Sequence, residues 1–270
     1  MEYQTLLLEV KDHIAHVKLN QPAKANALDK SAWEELGSVF ELLNTEENVR
    51  VIILSGEGKH FCSGIDLSLL KTVSADSDPG CASRSREKLR KLILGLQAHV
   101  SAIENCSKPV IAAVSGGCIG AGLDVICACD MRYASEDAFF SIREIDMGMV
   151  ADLGTLQRLP KLISEAYVRE MAYTGRNVTA HEAEKTGLTN ITYADRQTLL
   201  DSVYELARSI ASKSPVAVRG TKHILNYSRD HSISDSLEYI ATWNAAMLVS
   251  EDLRIAFEAK IAKTIPDFRN

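Results

Sequence analysis

Apolar residues run in short continuous or alternating stretches through the first half of the chain and then settle into helical spacing. Leu6 to Val10 and His13 to Leu19, split by Lys11-Asp12, predict an opening β-hairpin. Asn20 to Leu28 leaves as a loop, and Asp29 caps a helix whose apolar face carries Trp33, Leu36, Phe40 and Leu43. Val51 to Leu54 predicts a buried strand ending at Ser55-Gly-Glu-Gly58, after which His60 to Asp66 turns into a short apolar helix through Leu70. Thr72 to Ser85, with Asp-Ser-Asp-Pro-Gly at its centre, reads as loop, and Arg86 to Asn105 as a helix. Met131 to Ala134 and Ala138 to Ile142 are two more short strands, Gly148 to Asp152 a loop, and Gly154 to Pro160 a helix start. From Ser164 the pattern is helical: Glu165–Tyr173, Ala180–Thr186, Arg196–Ser212, Pro215–Tyr227, Ser232–Val249 and Glu251–Ala262, interrupted by one strand, Leu188–Ile191.

The stretch from Val110 to Asp130 stands at the centre of this pattern. Val110 to Val114 predicts a buried strand, Ser115 to Gly122 a small-residue turn, and Leu123 to Cys129 a short apolar helix with Asp124 in its first turn. The glycines let a ligand approach the backbone, and a helix start offers unpaired N–H groups. Asp124, a carboxylate in an apolar helix, needs either a hydrogen-bond partner or a chemical task. Gly117-Cys-Ile-Gly-Ala-Gly122 matches neither the dinucleotide fingerprint nor a phosphate loop.

These elements predict α/β architecture, with residues 1–195 forming a spiral of β-β-α units and 196–270 a helical region for oligomerisation. The 270 residues carry 36 acidic and 30 basic side chains, a mildly acidic balance that argues against a nucleic-acid partner. No apolar run reaches the roughly 20 residues of a membrane span. No secretory or Arg-rich leader precedes the first strand, and the chain ends Asp267-Phe-Arg-Asn270 without a Ser-Lys-Leu address. The expectation is a soluble intracellular protein, cytoplasmic in a bacterium and mitochondrial or peroxisomal in a eukaryote. Six cysteines without Cys-x-x-Cys spacing read as reduced thiols and not as a zinc site.

Two features point to chemistry. The turns at Phe61–Asp66 and Gly120–Asp124 can each present a backbone N–H to one point, and such paired donors stabilise an oxyanion, each worth about 3–4 kcal/mol of barrier. Acidic residues also recur beside apolar segments: Asp124, Glu144, Asp146 and Asp152. Carboxylates sharing a dry pocket raise one another's pKa, as a proton shuttle requires. Structural roles compete with this reading: Glu144 paired with Arg143 or Arg158, Asp146 capping a turn, Asp152 capping the Gly154 helix. The seven histidines form neither a Ser/His/Asp pattern nor a His-x-x-x-His pair.

Asn26-Ala-Leu28, Val51-Ile-Ile-Leu-Ser-Gly56, Phe61-Cys-Ser-Gly-Ile-Asp66, Lys108-Pro-Val-Ile-Ala-Ala-Val-Ser-Gly116, Asp130-Met-Arg-Tyr-Ala134 and Gln157-Arg-Leu-Pro160 together resemble the crotonase (enoyl-CoA hydratase/isomerase) superfamily over nearly the whole chain. The resemblance implies the β-β-α spiral, C-terminal helices that build trimers or hexamers, and acyl-CoA thioester substrates. It assigns the oxyanion donors to Ile65 and Ala121, where the family commonly has Gly at the second position. It further implies that Lys24, Ala25, Ala27, Ser63, Gly64, Asp66, Phe257 and Lys260 meet the CoA-bearing substrate.

Hydratases of the superfamily carry Glu at the positions of Asp124 and Glu144 and Gly at that of Asp152. The run Glu144 to Pro160, with Gly-Leu-Asp124 before it, is instead similar to the Δ3,5-Δ2,4-dienoyl-CoA isomerase group, enzymes of fatty acid β-oxidation. That resemblance implies that Asp152 takes a proton from C2, Glu144 returns one at C6, and Asp124 orients Glu144, without metal, flavin or nicotinamide. Hydration, monoene Δ3-Δ2 isomerisation and non-catalytic acyl-CoA binding remain the competing readings.

Overall fold

The computed structural model describes residues 3–69 and 80–270. The expected helix through Leu70 and loop from Thr72 therefore lie partly outside the described residues.

Six strands form a large sheet in the order β1 (Leu6–Lys11), β2 (Ile14–Leu19), β3 (Val51–Gly56), β4 (Val110–Val114), β6 (Met131–Ser135), β9 (Thr192–Tyr193). Only the β1–β2 hairpin pairs antiparallel; the other neighbours run parallel. A small sheet is built from β5 (Gly117–Ile119), β7 (Phe139–Ser141) and β8 (Val178–Thr179). The chain alternates between the sheets, β4 to β5 and β6 to β7, so each turn of the spiral puts one strand in each layer. Cys62 joins the small layer through a parallel bridge to Cys118.

The period-two alternation of the strands explains why their sequences look apolar throughout. Ile52, Leu54, Val110, Ala112 and Val114 face the main core with Trp33, Leu36, Phe40 and Leu43 of α1 (Lys30–Thr45). Val51, Ile53, Ile111 and Ala113 face a second core against Leu199, Val203 and Ala207 of a long helix, α7 (Arg196–Ala211). A parallel sheet covered on both faces has no polar side to show. The helix expected to open the oligomerisation region is thus the outer layer of the large sheet. His16, buried at the same seam, bonds Ser55 Oγ at 2.8 Å and Tyr204 OH at 2.7 Å. Burial and nearby Lys18 push its imidazole down to about 4, so it stays neutral as a core group.

Two buried lysines are also structural. Lys108 Nζ donates to the carbonyls of Leu43, Asn44 and Glu46, closing the end of α1. Lys222 Nζ donates to Asp130 at 2.8 Å, tying α8 (Pro215–Ser228) to the sheet. Beyond α8, α9 (Ile233–Met247) and α10 (Glu251–Ala262) leave Ile233, Val249 and Phe257 largely exposed.

Three boundaries differ from expectation. The small-residue turn after β4 contains a strand, β5, because Cys62 and Phe140 on either side pair with Cys118; α3 accordingly starts at Ala121 and ends at Cys127. The helix α2 (Ala82–Asn105) begins ahead of Arg86. The expected strand Leu188–Ile191 is displaced to Thr192–Tyr193. Asn190 answers the Arg132 N–H with its side-chain oxygen, so regular pairing starts only after it.

Candidate active site

Cys62 threads between Gly117 and Ile119: its N–H donates to Gly117 O at 3.0 Å, and Ile119 N–H donates to its carbonyl at 2.9 Å. This lays the two candidate turns side by side, so that a Cβ placed on Gly64 would come within 3.8 Å of Ala121 N.

The orientation of both N–H groups follows from the planar trans peptide, in which C=O and N–H point in opposite directions. Gly64 C=O accepts from Leu28 N–H at 2.8 Å, so the Ile65 N–H points away from Leu28. Gly120 C=O accepts from Leu123 and Asp124 N–H, so the Ala121 N–H points out of the start of α3. Among the described residues neither donor meets an acceptor, and both residues line one cavity of about 910 Å³. Its walls are mostly apolar, with Leu89, Ile93 and Leu96 from one face of α2.

Glu144 and Asp152 line the same cavity. Glu144 sits in a 3-10 turn (Arg143–Met147) directly after β7, and its carboxyl rests on Gly120: a Cβ there would lie 3.0 Å from Oε1. Gly120 also has φ +52°, ψ −117°, a conformation that only glycine adopts freely. Burial, reinforced by the charge of Asp152, holds the Glu144 carboxyl above its ordinary range, and its Oε2 is buried with no partner among the described residues. Asp152 lies exposed at the rim of the single chain, and partial desolvation raises its carboxyl too. The competing ion pairs do not form: Arg158 binds Glu104 at 2.8 Å, and Arg143 lies 3.5 Å from Asp146.

Asp124 has a different place. It is buried behind the cavity wall, and its Oδ1 accepts the Thr155 N–H at 2.6 Å, at the start of α4 (Thr155–Arg158). The capping expected of Asp152 is therefore supplied by Asp124, across 31 residues of sequence. Burial, and secondarily the charges of Glu144 and Asp152, push Asp124 up to about 7 against the Thr155 hydrogen bond.

A two-layer spiral, two N–H groups on adjacent turns without an acceptor among the described residues, and two acids lining a largely apolar cavity accompany a match to one family profile. That of enoyl-CoA hydratase/isomerase matches residues 9–259. The chain belongs to the enoyl-CoA hydratase/isomerase family. It is 47% identical to the peroxisomal Delta(3,5)-Delta(2,4)-dienoyl-CoA isomerase of Arabidopsis thaliana, over 98% of this chain and 97% of that protein. The mitochondrial enzyme of the same name from Mus musculus is 45% identical, over 93% of this chain and 77% of that protein. Among solved structures, the enoyl-CoA hydratase of Bacillus anthracis superposes with a TM-score of 0.89 at 29% identity, covering 98% of this chain and 99% of that one.

Of the residues expected to meet a CoA thioester in this family, Lys24, Ala27, Ser63, Gly64 and Asp66 line the cavity. Lys24 lies 3.5 Å from Asp29 and 3.8 Å from Asp66. Ala25 holds the wall from behind, its carbonyl accepting from Ser63 N–H at 3.0 Å. Phe257 and Lys260 do not line it: α10 belongs to the C-terminal bundle, where Asp252 accepts from Ser214. Asn26, named only as a motif residue, proves to be the brace of this loop. Its side chain donates to the Glu57 and His60 carbonyls and accepts from Gln21 N–H. All six cysteines are free thiols, and among the described residues no three His, Cys, Asp or Glu converge on a metal site. No helix among them is long and apolar enough to cross a membrane.

Proposed function

We propose that the chain is a Δ3,5-Δ2,4-dienoyl-CoA isomerase acting in fatty acid β-oxidation. The observation that carries this reading is that Glu144 and Asp152, neither in an ion pair among the described residues, line the cavity into which two free backbone N–H groups point.

The thioester carbonyl oxygen of a 3,5-dienoyl-CoA sits between Ile65 N–H and Ala121 N–H, which stabilise the negative charge gained as C2 loses a proton. Asp152, as carboxylate, takes that proton. The charge delocalises through the conjugated chain, and Glu144, whose dry site favours the protonated carboxyl, delivers a proton at C6 to give the 2,4-diene. Asp124 fixes the loop that carries Asp152. The apolar face of α2 receives the acyl chain, and Lys24 at the cavity mouth offers a cation to the CoA moiety. The mechanism draws on no metal or redox cofactor, since the chain itself supplies the acid, the base and the oxyanion donors. The exposed apolar residues of α9 and α10 favour a homotrimer or a dimer of trimers, which would also cover Phe257. The two isomerases named above are peroxisomal and mitochondrial, and an organellar compartment follows for this chain if it is eukaryotic.

Purified protein mixed with a 3,5-dienoyl-CoA should generate the ultraviolet absorbance of the conjugated 2,4-dienoyl product, with little consumption of a short 2-enoyl-CoA. Loss of the enoyl signal alone would identify a hydratase instead.

A further inference from the structure

A second cavity, of about 480 Å³, lies on the other side of the Asp152 loop and shares Asp152 and Leu153 with the first. Its charges cancel. Glu104 takes both Arg158 (2.8 Å) and Arg229 (2.6 Å), and Lys161 lies 3.9 Å from Asp230. Apart from Asp152 itself, the charged side chains of this cavity pair with one another, and further hydrogen bonds run to the backbone of the loop.

Those bonds are ordered along the loop. Gln97 Nε2 donates to Asp152 C=O at 2.7 Å, Arg158 Nη1 to Leu153 C=O at 3.4 Å, and Thr155 N–H is the group held by Asp124. Between them Gly154 has φ +132°, and the Arg158 guanidinium occupies the place where a Cβ would be. Arg158 is in turn held by Glu104 through Nε and Nη2 and by Ser101 Oγ at 3.1 Å. Gln97, Ser101 and Glu104 are spaced i, i+4, i+7, one stripe of α2. The same helix, over the turns leading up to Gln97, supplies Leu89, Ile93 and Leu96 to the acyl cavity. One rigid element therefore carries both the wall against which the chain packs and the clamp on the base.

We propose that Gln97 and the Glu104–Arg158 pair are positioning residues for Asp152, holding its main chain so that the unpaired carboxylate meets C2 at a distance set by the α2 wall. The inference rests on Asp152 being the C2 base. Gln97 is only part-buried and makes its hydrogen bond to that one carbonyl, so Gln97→Met removes the donor at nearly constant volume.

The test uses the full-length protein and a 3,5-dienoyl-CoA, unlabelled and deuterated at C2. Gln97→Met should lower kcat by about tenfold with KM within about twofold, because a misplaced base costs rate rather than binding. The isotope effect at C2 should be at least as large as in the wild type, and the melting midpoint unchanged. Glu104→Gln should show the same split between kcat and KM. An unchanged kcat in Gln97→Met would overturn the proposal, as would a loss shared equally by KM or one with a suppressed C2 isotope effect. Wild-type protein that fails to isomerise the diene would instead remove the functional reading beneath it, so the two failures are told apart by which protein fails.

Discussion

Glu144 and Asp152 reach one cavity from supports of opposite kind. Glu144 sits in the 3-10 turn that follows a strand of the small sheet, and its carboxyl is placed by a side chain that is missing, that of Gly120. Asp152 hangs on a loop at the rim, and its main chain is placed by hydrogen bonds that Gln97 donates to its own carbonyl and Arg158 to that of Leu153, and by the one that Thr155 N–H donates to Asp124. In neither case does another side chain among the described residues pair with the carboxylate. A cation beside either group would hold it ionised well below neutrality, whereas desolvation lifts both toward the range in which protons are exchanged. The more buried member suits donation and the wetter one abstraction, as two unequal environments can assign two roles to like groups.

Removing one carboxyl at a time breaks this comparison most severely. Asp152→Asn and Glu144→Gln should each lower kcat by about 10²–10⁴-fold with the melting midpoint nearly unchanged. In deuterated water Glu144→Gln should still exchange the C2 proton of the substrate while Asp152→Asn should not; equal exchange in both would erase the division of labour. Next in size, Gly120→Ala forces a methyl onto the Glu144 carboxyl at a backbone conformation suited to glycine. It should cost about 1–3 kcal/mol in chemical denaturation and about 10²-fold in kcat. A further effect falls on stability alone. Asp124 is raised to about 7 in the folded protein from an ordinary 3.8, so between those values the folded state keeps a proton that the unfolded chain has released. Its contribution is full below about pH 4, declines as pH rises to about 7, and is constant above. Asp124→Asn keeps an acceptor for Thr155 but cannot titrate. Denaturation midpoints should therefore show the wild type losing ground to the variant across that window, and parallel pH profiles would mean that Asp124 is not the group responsible.

The legibility of these parts from the linear chain tracked how local their causes were. The α1 face of Trp33, Leu36, Phe40 and Leu43 is a 3.6-residue period, and all four side chains are buried as that spacing requires. Asp29 capping α1 through Ala32 N–H is likewise a contact three residues long. Gly117–Ile119 was harder, because a strand of small residues is indistinguishable from a turn until Cys62 and Phe140 are beside it. Gln97 gave no signal at all. A glutamine on a polar helix face reads as solvated, and only the meeting of α2 with a loop 55 residues away gives it a partner.

Periodicity, turn chemistry and the family motifs were enough to indicate the architecture, the two turns that bring Ile65 and Ala121 to the cavity, and the acidic residues worth attention, because each is written within a few neighbouring residues. Which carboxylate does what was not so written. Asp124 and Asp152 have similar local surroundings in the chain, yet one is sealed behind the wall as a cap and the other faces the cavity with its carboxyl free. That division comes from packing between segments far apart in sequence. Burial and hydrogen-bond partners, which set both the charge and the aim of an acid, exist only once those segments have met.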